Sequence, residues 1–309
     1  MNERDMETLI AVRCTIVEQL SLFLQLRRRK WTGLQTFLDE SHLTGPAFSQ
    51  LRALEGETVR GQTLTLQQMQ ENLFNPYATR FTIFDHLPLL IEQGYLQQQD
   101  EGYLVTDTGR ILINQIELVA RSYIGTLQIS PSLSLPALAV ALVERVHRAW
   151  QSPEPLIKAH QARTQRRLPV EGAPALVQIE WAILGLWEAR DDAHIAAWRA
   201  YRFSGPVFDI LSRIWSKEAR TLPRFISTLR ESQQSADIQQ GILELAKSGY
   251  ILARDDSFEL TLQGQKIRDA IEGETDRIFF ASWDQMADDE VIWLSEQLSD
   301  VCSYFRKLA

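Results

Sequence analysis

The chain has only two cysteines, Cys14 and Cys302, in 309 residues. Their positions near opposite ends fit neither a zinc motif nor a CxxC redox pair. Two buried thiols of a cytosolic protein are the expected state, and a redox pair between terminal helices is the sharper alternative. Glycine is sparse too: the 15 present do not cluster. The phosphate-cradling GxxxxGK[ST] loop, the GxGxxG fingerprint and the GxSxG elbow are all missing. The five histidines, His42, His86, His147, His160 and His194, show no HxxxH or HExxH spacing, so no metal site is expected. No catalytic constellation remains, and neither an enzyme nor a cofactor is expected.

Cations are outnumbered, 32 Lys and Arg against 40 Asp and Glu, for a net charge of −8. That balance argues against indiscriminate coating of phosphate backbones, while leaving room for a local basic face. The N-terminal MNERDMETLI is charged and has no signal-peptide core. The longest apolar stretch, near Leu133 to Val143, contains Pro136 and is too short for a membrane span. A cytoplasmic protein without a membrane partner is expected.

What the chain does contain is one pattern twice. LTGPAFSQLRAL (Leu43 to Leu54) returns as FSGPVFDILSRI (Phe203 to Ile214). LLIEQGYLQQQDEGYLVTDTGR (Leu89 to Arg110) returns as LELAKSGYILARDDSFELTLQGQ (Leu243 to Gln265), with Gly45, Gly94 and Gly109 matching Gly205, Gly249 and Gly264. Each copy reads as a winged helix. In the first, Thr44 caps a helix from Pro46 to Leu54, helices follow over Thr65 to Leu73 and Tyr77 to Gln93, and a hairpin turns at Gln99 to Gly102. Thr106 or Asp107 caps the helix after it. In the second, helices over Leu222 to Leu229 and Ala236 to Ser248 precede a hairpin turning at Asp255 to Ser257. Apolar residues at helical spacing predict a long helix over Met6 to Leu26. Further helices are predicted over Trp31 to Leu38, Ala137 to Trp150, Leu156 to Arg167, Ala175 to Arg190, Ala193 to Tyr201, Gly264 to Phe280 and Asp288 to Leu308. Gly125 to Pro136 is a linker. The expected fold is mainly α with small β-hairpins: tandem winged-helix domains with accessory helices, divided as residues 1–130 and 131–309.

A winged helix reads bases with the second helix of its helix-turn-helix. The first copy offers Asn75, Tyr77, Thr79, Arg80, Thr82 and His86, with Arg80 able to reach a guanine edge or a phosphate. The second offers Ser232, Gln233, Gln234, Ser235, Asp237, Gln239 and Gln240, without a cation in that helix. Both hairpin tips carry acids, Asp100-Glu101 and Asp255-Asp256, which DNA would repel. One or both modules therefore have packing or dimerisation as an alternative role. Two basic runs lie elsewhere: Arg27 to Lys30, and Lys158, His160, Arg163, Arg166 and Arg167. Each is either a solvated helix end or a phosphate contact.

Arg190, Asp192 and His194, with Trp187 nearby, are the candidate ligand-binding residues. Asp192 can orient an imidazole, or it can cap the helix expected after a break at this point. Glu272 and Asp276 share a helical face and are either a carboxylate pair or a solvated surface. Trp181, Trp187 and Trp198 are either core or the wall of a planar-ligand pocket.

Three segments carry a family resemblance. In Ala175 to Trp198, Arg190, Asp192 and His194 stand in an Arg-Gly-Asp-Gly-His pattern in which Asp191 and Ala193 replace the glycines. In Gly249 to Ile278, Ile271-Glu272 and Thr275-Asp276-Arg277 match an Ile-Glu and a Thr-Asp-Arg motif. Ser282-Trp283 is the third. Over roughly Val140 to Leu298 the chain thus resembles helix-turn-helix proteins of the SalK type, and its first half is similar to a MarR-type winged helix. The resemblance implies a DNA-binding regulator, with a small-molecule effector as a further expected partner. The alternatives are a protein-interaction scaffold that uses a protein partner or a homodimer, and a small-molecule binder or enzyme centred on Arg190, Asp192 and His194.

Overall fold

A computed structural model describes residues 3–57, 62–72, 75–79, 83–129, 133–169 and 171–308. In chain order the first part holds α1 (Glu3–Leu26), α2 (Gly33–Glu40), α3 (Gly45–Glu57), β1 (Leu64–Thr65), α4 (Leu66–Asn72), α5 (Ile83–Glu92), β2 (Leu96–Gln99), β3 (Gly102–Val105) and α6 (Asp107–Thr126). Then follow α7 (Leu135–Gln151), α8 (Ala159–Gln165), α9 (Ala175–Ala200), α10 (Gly205–Trp215), α11 (Leu222–Leu229), α12 (Ser235–Lys247), β4 (Ile251–Arg254), β5 (Ser257–Leu260), α13 (Leu262–Phe280), a 3-10 turn (Ala281–Trp283) and α14 (Asp288–Leu308). The fold is mainly α with small antiparallel strand pairs.

The chain forms two compact units, each built from separated stretches of sequence. Residues 1–37, 114–193 and 277–309 make the first; residues 38–113 and 194–276 make the second, so both repeated patterns fall in one unit.

In the second unit the order helix, helix, helix, hairpin occurs twice. Thr65 and Gln68 cap α4 reciprocally: Thr65 N donates to Gln68 Oε1 at 2.9 Å and Gln68 N donates to Thr65 Oγ1 at 3.2 Å. β1, β3 and β2 form a three-stranded sheet in that order, with Gln99 opposite Gly102 at the hairpin end. β4 and β5 form a two-stranded sheet with Arg254 opposite Ser257. Phe258 N donates to Arg220 O at 2.6 Å, one bond where the other sheet has β1.

The base of each hairpin is built alike. Thr106 Oγ1 donates to Gly94 O at 2.7 Å and accepts from Gly109 N at 3.1 Å. Thr261 Oγ1 donates to Gly249 O at 2.7 Å and accepts from Gly264 N at 3.0 Å. Gly94 and Gly249 have φ of 72° and 75°, the left-handed region that glycine enters at little cost.

In the first unit α1 packs on α14. Ile16, Leu20 and Phe23 are fully buried, and the Phe23 and Phe305 rings meet edge to face at 5.2 Å. By length and composition alone the Thr8–Leu26 stretch of α1 is long and apolar enough to cross a membrane, so among the described residues the longest apolar stretch lies here and not near Leu133 to Val143. Its buried stripe is used against α14. Cys302 is buried and donates to Gln19 O at 3.3 Å, and burial pushes its thiol up to about 12. Cys14, expected to be buried, is exposed, because it lies off that stripe.

Both basic runs are drawn into structure. Arg27 Nε and Arg28 Nε lie 2.8 Å and 2.7 Å from Oε1 of Glu180, whose side chain is almost fully buried. Arg28 Nη2 donates to the other oxygen at 3.0 Å, making a bidentate pair. Lys158 Nζ donates to the carbonyls of Ala149, Trp150 and Ser152, closing the C-terminus of α7.

Residues 77–79, predicted as the start of a helix, are irregular, and the break predicted between Arg190 and Ala193 is absent, since α9 runs through it.

Candidate functional site

In the first repeat, residues 75–79 are irregular because other groups claim their backbone. Asn75 Oδ1 accepts from Tyr77 N at 3.0 Å, a local turn that competes with helix. The remaining bonds reach the second repeat. Thr79 N donates to Ser232 O at 2.8 Å, Gln234 N donates to Thr79 Oγ1 at 3.3 Å, and Gln233 Nε2 donates to Tyr77 O at 3.1 Å. The Tyr77 ring lies 5.9 Å from that of Trp198, whose Nε1 donates to the Tyr77 hydroxyl at 3.2 Å. Of the residues expected to read bases, Tyr77 and Thr79 are thus engaged within the chain. Asn75 is exposed and His86, on α5, is half-buried. Arg80 and Thr82 lie outside the described residues.

The second repeat leaves its corresponding helix open. Thr221 caps α11, accepting from Arg224 N at 3.4 Å. Gln234, Ser235, Gln239 and Gln240 are exposed around the first two turns of α12, with Ser235 and Gln239 one turn apart on the same side. Ile238, Ile242 and Leu245 face inward. Two exposed cations precede this surface in the chain: Arg224 on α11, whose Nε donates to Glu218 O at 3.4 Å, and Arg230 at the C-terminus of that helix. Arg230 pairs with Glu231 at 3.1 Å in solvent, a weak attachment. Arg254 on the hairpin pairs with Glu259 at 3.3 Å. Arg224 and Arg230 lie outside the residues the sequence offered for this copy, although both are visible one helix upstream of α12.

The four candidate ligand residues do not converge. Asp192 and His194 sit two residues apart on a continuous helix and so point to different sides. His194 Nδ1 lies 3.1 Å from Thr275 Oγ1, and its ring lies 5.3 Å from Phe208. Trp187 and Arg190 are half-buried. Asp192, buried, is a cap, but for α8 instead of a helix following it. Its Oδ1 accepts from His160 N at 3.1 Å and its Oδ2 accepts from Gln161 N at 3.0 Å, while His160 Nδ1 lies 2.8 Å from Oδ1.

The partner of Asp192 is therefore His160, 32 residues upstream, and two further carboxyls lie beside it. Glu188 meets the Thr164 hydroxyl, and burial pushes its carboxyl up to about 7. Burial raises Asp191 to about 6. The hydrogen bond that the His160 ring makes to the Asp192 carboxylate raises His160 above its usual value. The Glu188, Asp191, Asp192 spacing is visible in the sequence as a one-turn set on one helix; its burial is not.

Glu272 pairs with Arg268 at 2.6 Å, and the Arg268 guanidinium lies 4.3 Å from the Trp215 ring centre, so this carboxylate serves packing. Trp181 and Trp198 are core residues. Among the described residues no group of three His, Cys, Asp or Glu side chains is arranged to hold a metal ion.

The model of a helix-turn-helix family matches residues 105–307. No curated protein and no solved structure matches the chain. A helix-turn-helix domain points to DNA binding and regulation in general terms. The match spans well over half of the chain and includes α11 and α12, and the chain belongs to the helix-turn-helix family.

Proposed function

We propose that the chain is a cytoplasmic, non-enzymatic transcription regulator made of two duplicated winged-helix modules. In it α12 of the second module enters the major groove, and the first module acts as its paired support. The observation that carries this reading is the exposed Gln234, Ser235, Gln239 and Gln240 surface of α12, with the exposed Arg224 and Arg230 just upstream in the chain. Glutamine presents both donor and acceptor to an adenine edge, and arginine fixes the backbone. In the first module, Tyr77 and Thr79 are already occupied by Trp198 and Ser232.

A duplex enriched from a random pool tests it. Gln239→Ala with Gln240→Ala is expected to weaken binding to that duplex by about 1–3 kcal/mol and to relax preference at one or two positions. Arg224→Ala is expected to weaken all sequences alike and to lower the salt slope by about 1.

The acidic tips support a second reading, a scaffold that binds protein. Asp100-Glu101 and Asp255-Asp256 stand where a wing meets phosphate. Absence of duplex binding even at low salt favours the scaffold, since a protein neutralising several phosphates binds most tightly there.

A further inference from the structure

α8 is held in place largely by polar groups. Its buried side chains are Gln161 and Thr164, both polar. Its attachments include the three bonds to Asp192, the Thr164–Glu188 contact and the bond from Trp181 Nε1 to Thr164 O at 3.3 Å. An element fixed by hydrophobic burial is insensitive to pH; one fixed by titratable groups is not. The junction is also rich in acceptors. It brings together the carboxyls of Glu188, Asp191 and Asp192 and the buried Gln161 Oε1, which has no hydrogen-bond partner. A carboxyl in such surroundings gains by keeping its proton, because it then offers a donor and carries no charge out of water.

We propose that the α8–α9 junction is a proton-operated latch: protons on Glu188, Asp191 and His160 hold α8 against α9, and their loss releases it.

The charged groups facing the junction are His160 and Arg163 on α8, Lys158 before it, Arg167 after it, and Glu188, Arg190, Asp191 and Asp192 on α9. The cations lower both half-buried carboxyls, yet desolvation outweighs them. All three titrations have one sign. Glu188, Asp191 and His160 each bind protons more tightly when docked than when released, so docking takes up protons and weakens as pH rises. At the acid end Asp192 faces a charged imidazolium beside neutral neighbours. At the alkaline end three carboxylates share the junction and His160 has lost its charge. The working range is bounded by Asp191 at about 6 and Glu188 at about 7. The latch is independent of base reading by α12, and its failure leaves that reading intact, because no DNA enters the experiment.

Hydrogen exchange on the full chain from about pH 5.5 to 8, corrected for the intrinsic chemical rate, reads the latch directly through the α8 amides. In the unmodified protein the protection of α8 is expected to fall by about tenfold or more across this range, since a one-unit shift in one group corresponds to tenfold. Protection of α14 stays level. The double variant Glu188→Gln, Asp191→Asn keeps α8 protected at the alkaline end. An α8 profile that is flat after correction overturns the proposal, as does a double variant that loses protection in parallel with the parent. Should the double variant not fold, the parent profile and the single variant Glu188→Gln decide, the latter by a shifted midpoint.

Discussion

Gly205 lies so close to the backbone of Pro76 that a Cβ placed on it would fall 1.5 Å from the Pro76 carbonyl oxygen. Gly45, its counterpart in the first repeat, has open space there. The two glycines occupy equivalent places in the sequence pattern and do different work: Gly205 admits a loop from the other repeat, and Gly45 stands exposed at the start of α3. Gly205→Ala is therefore expected to destabilise by about 1–3 kcal/mol through overpacking. Gly45→Ala is expected to be neutral or stabilising by up to about 1 kcal/mol. Urea midpoints of the two variants measure the contrast, and equal shifts would count against the loop contact.

Tyr77 tests the same junction from the other side. Tyr77→Phe removes the hydroxyl that accepts from Trp198 Nε1 and is expected to cost about 1 kcal/mol. Tyr77→Ala also removes the ring packing and is expected to cost about 3 kcal/mol. If neither variant changes the urea midpoint, the Tyr77–Trp198 contact contributes nothing to stability.

The Glu180 cluster offers an electrostatic test. Replacing Arg27 and Arg28 together with Ala strands a carboxylate whose side chain is 7% exposed, and about 3–5 kcal/mol of destabilisation is expected. Adding Glu180→Gln to that double variant restores part of the loss. Thermal unfolding of the three proteins in parallel reads it, and a double variant as stable as the parent contradicts the assignment.

Glu188 makes stability depend on pH. Its carboxyl is raised from 4.5 to about 7, so its contribution is fully present below pH 4.5 and is lost as pH rises through about 7. The ionised group at pH 8 costs on the order of 3 kcal/mol. Glu188→Gln is expected to gain stability at pH 8 and to leave it nearly unchanged at pH 4. Denaturation at both values is the check, and an equal gain at each would assign the effect to packing.

Much of the fold was legible in local sequence. The turn residues Gln99 to Gly102 and Asp255 to Ser257 predicted both hairpins, and apolar periodicity predicted α1 and α14 within a few residues. What escaped was set by distant partners. Residues 75–79 are irregular because Ser232, Gln233 and Gly205 engage them from more than a hundred positions away. Asp192 read correctly as a cap, but its target helix lay upstream, and nothing local distinguishes His160 from His194 as its neighbour. The basic runs looked like surface because composition cannot reveal that Glu180 is buried beneath one and the end of α7 beneath the other.

The threonine at the foot of each hairpin closes a ring of backbone through its own hydroxyl, joining Gly94 to Gly109 in one case and Gly249 to Gly264 in the other. The strands between are tied at that end, and the tip residues take no part in the knot. Asp100 and Asp255 have positive φ and suit few replacements, but Glu101 and Asp256 do not share that constraint. Changing Glu101 or Asp256 to lysine would cancel the paired negative charge of a tip while the ring below stays shut. The charge these hairpins present is in this sense an interchangeable part, separable from the scaffold that carries it.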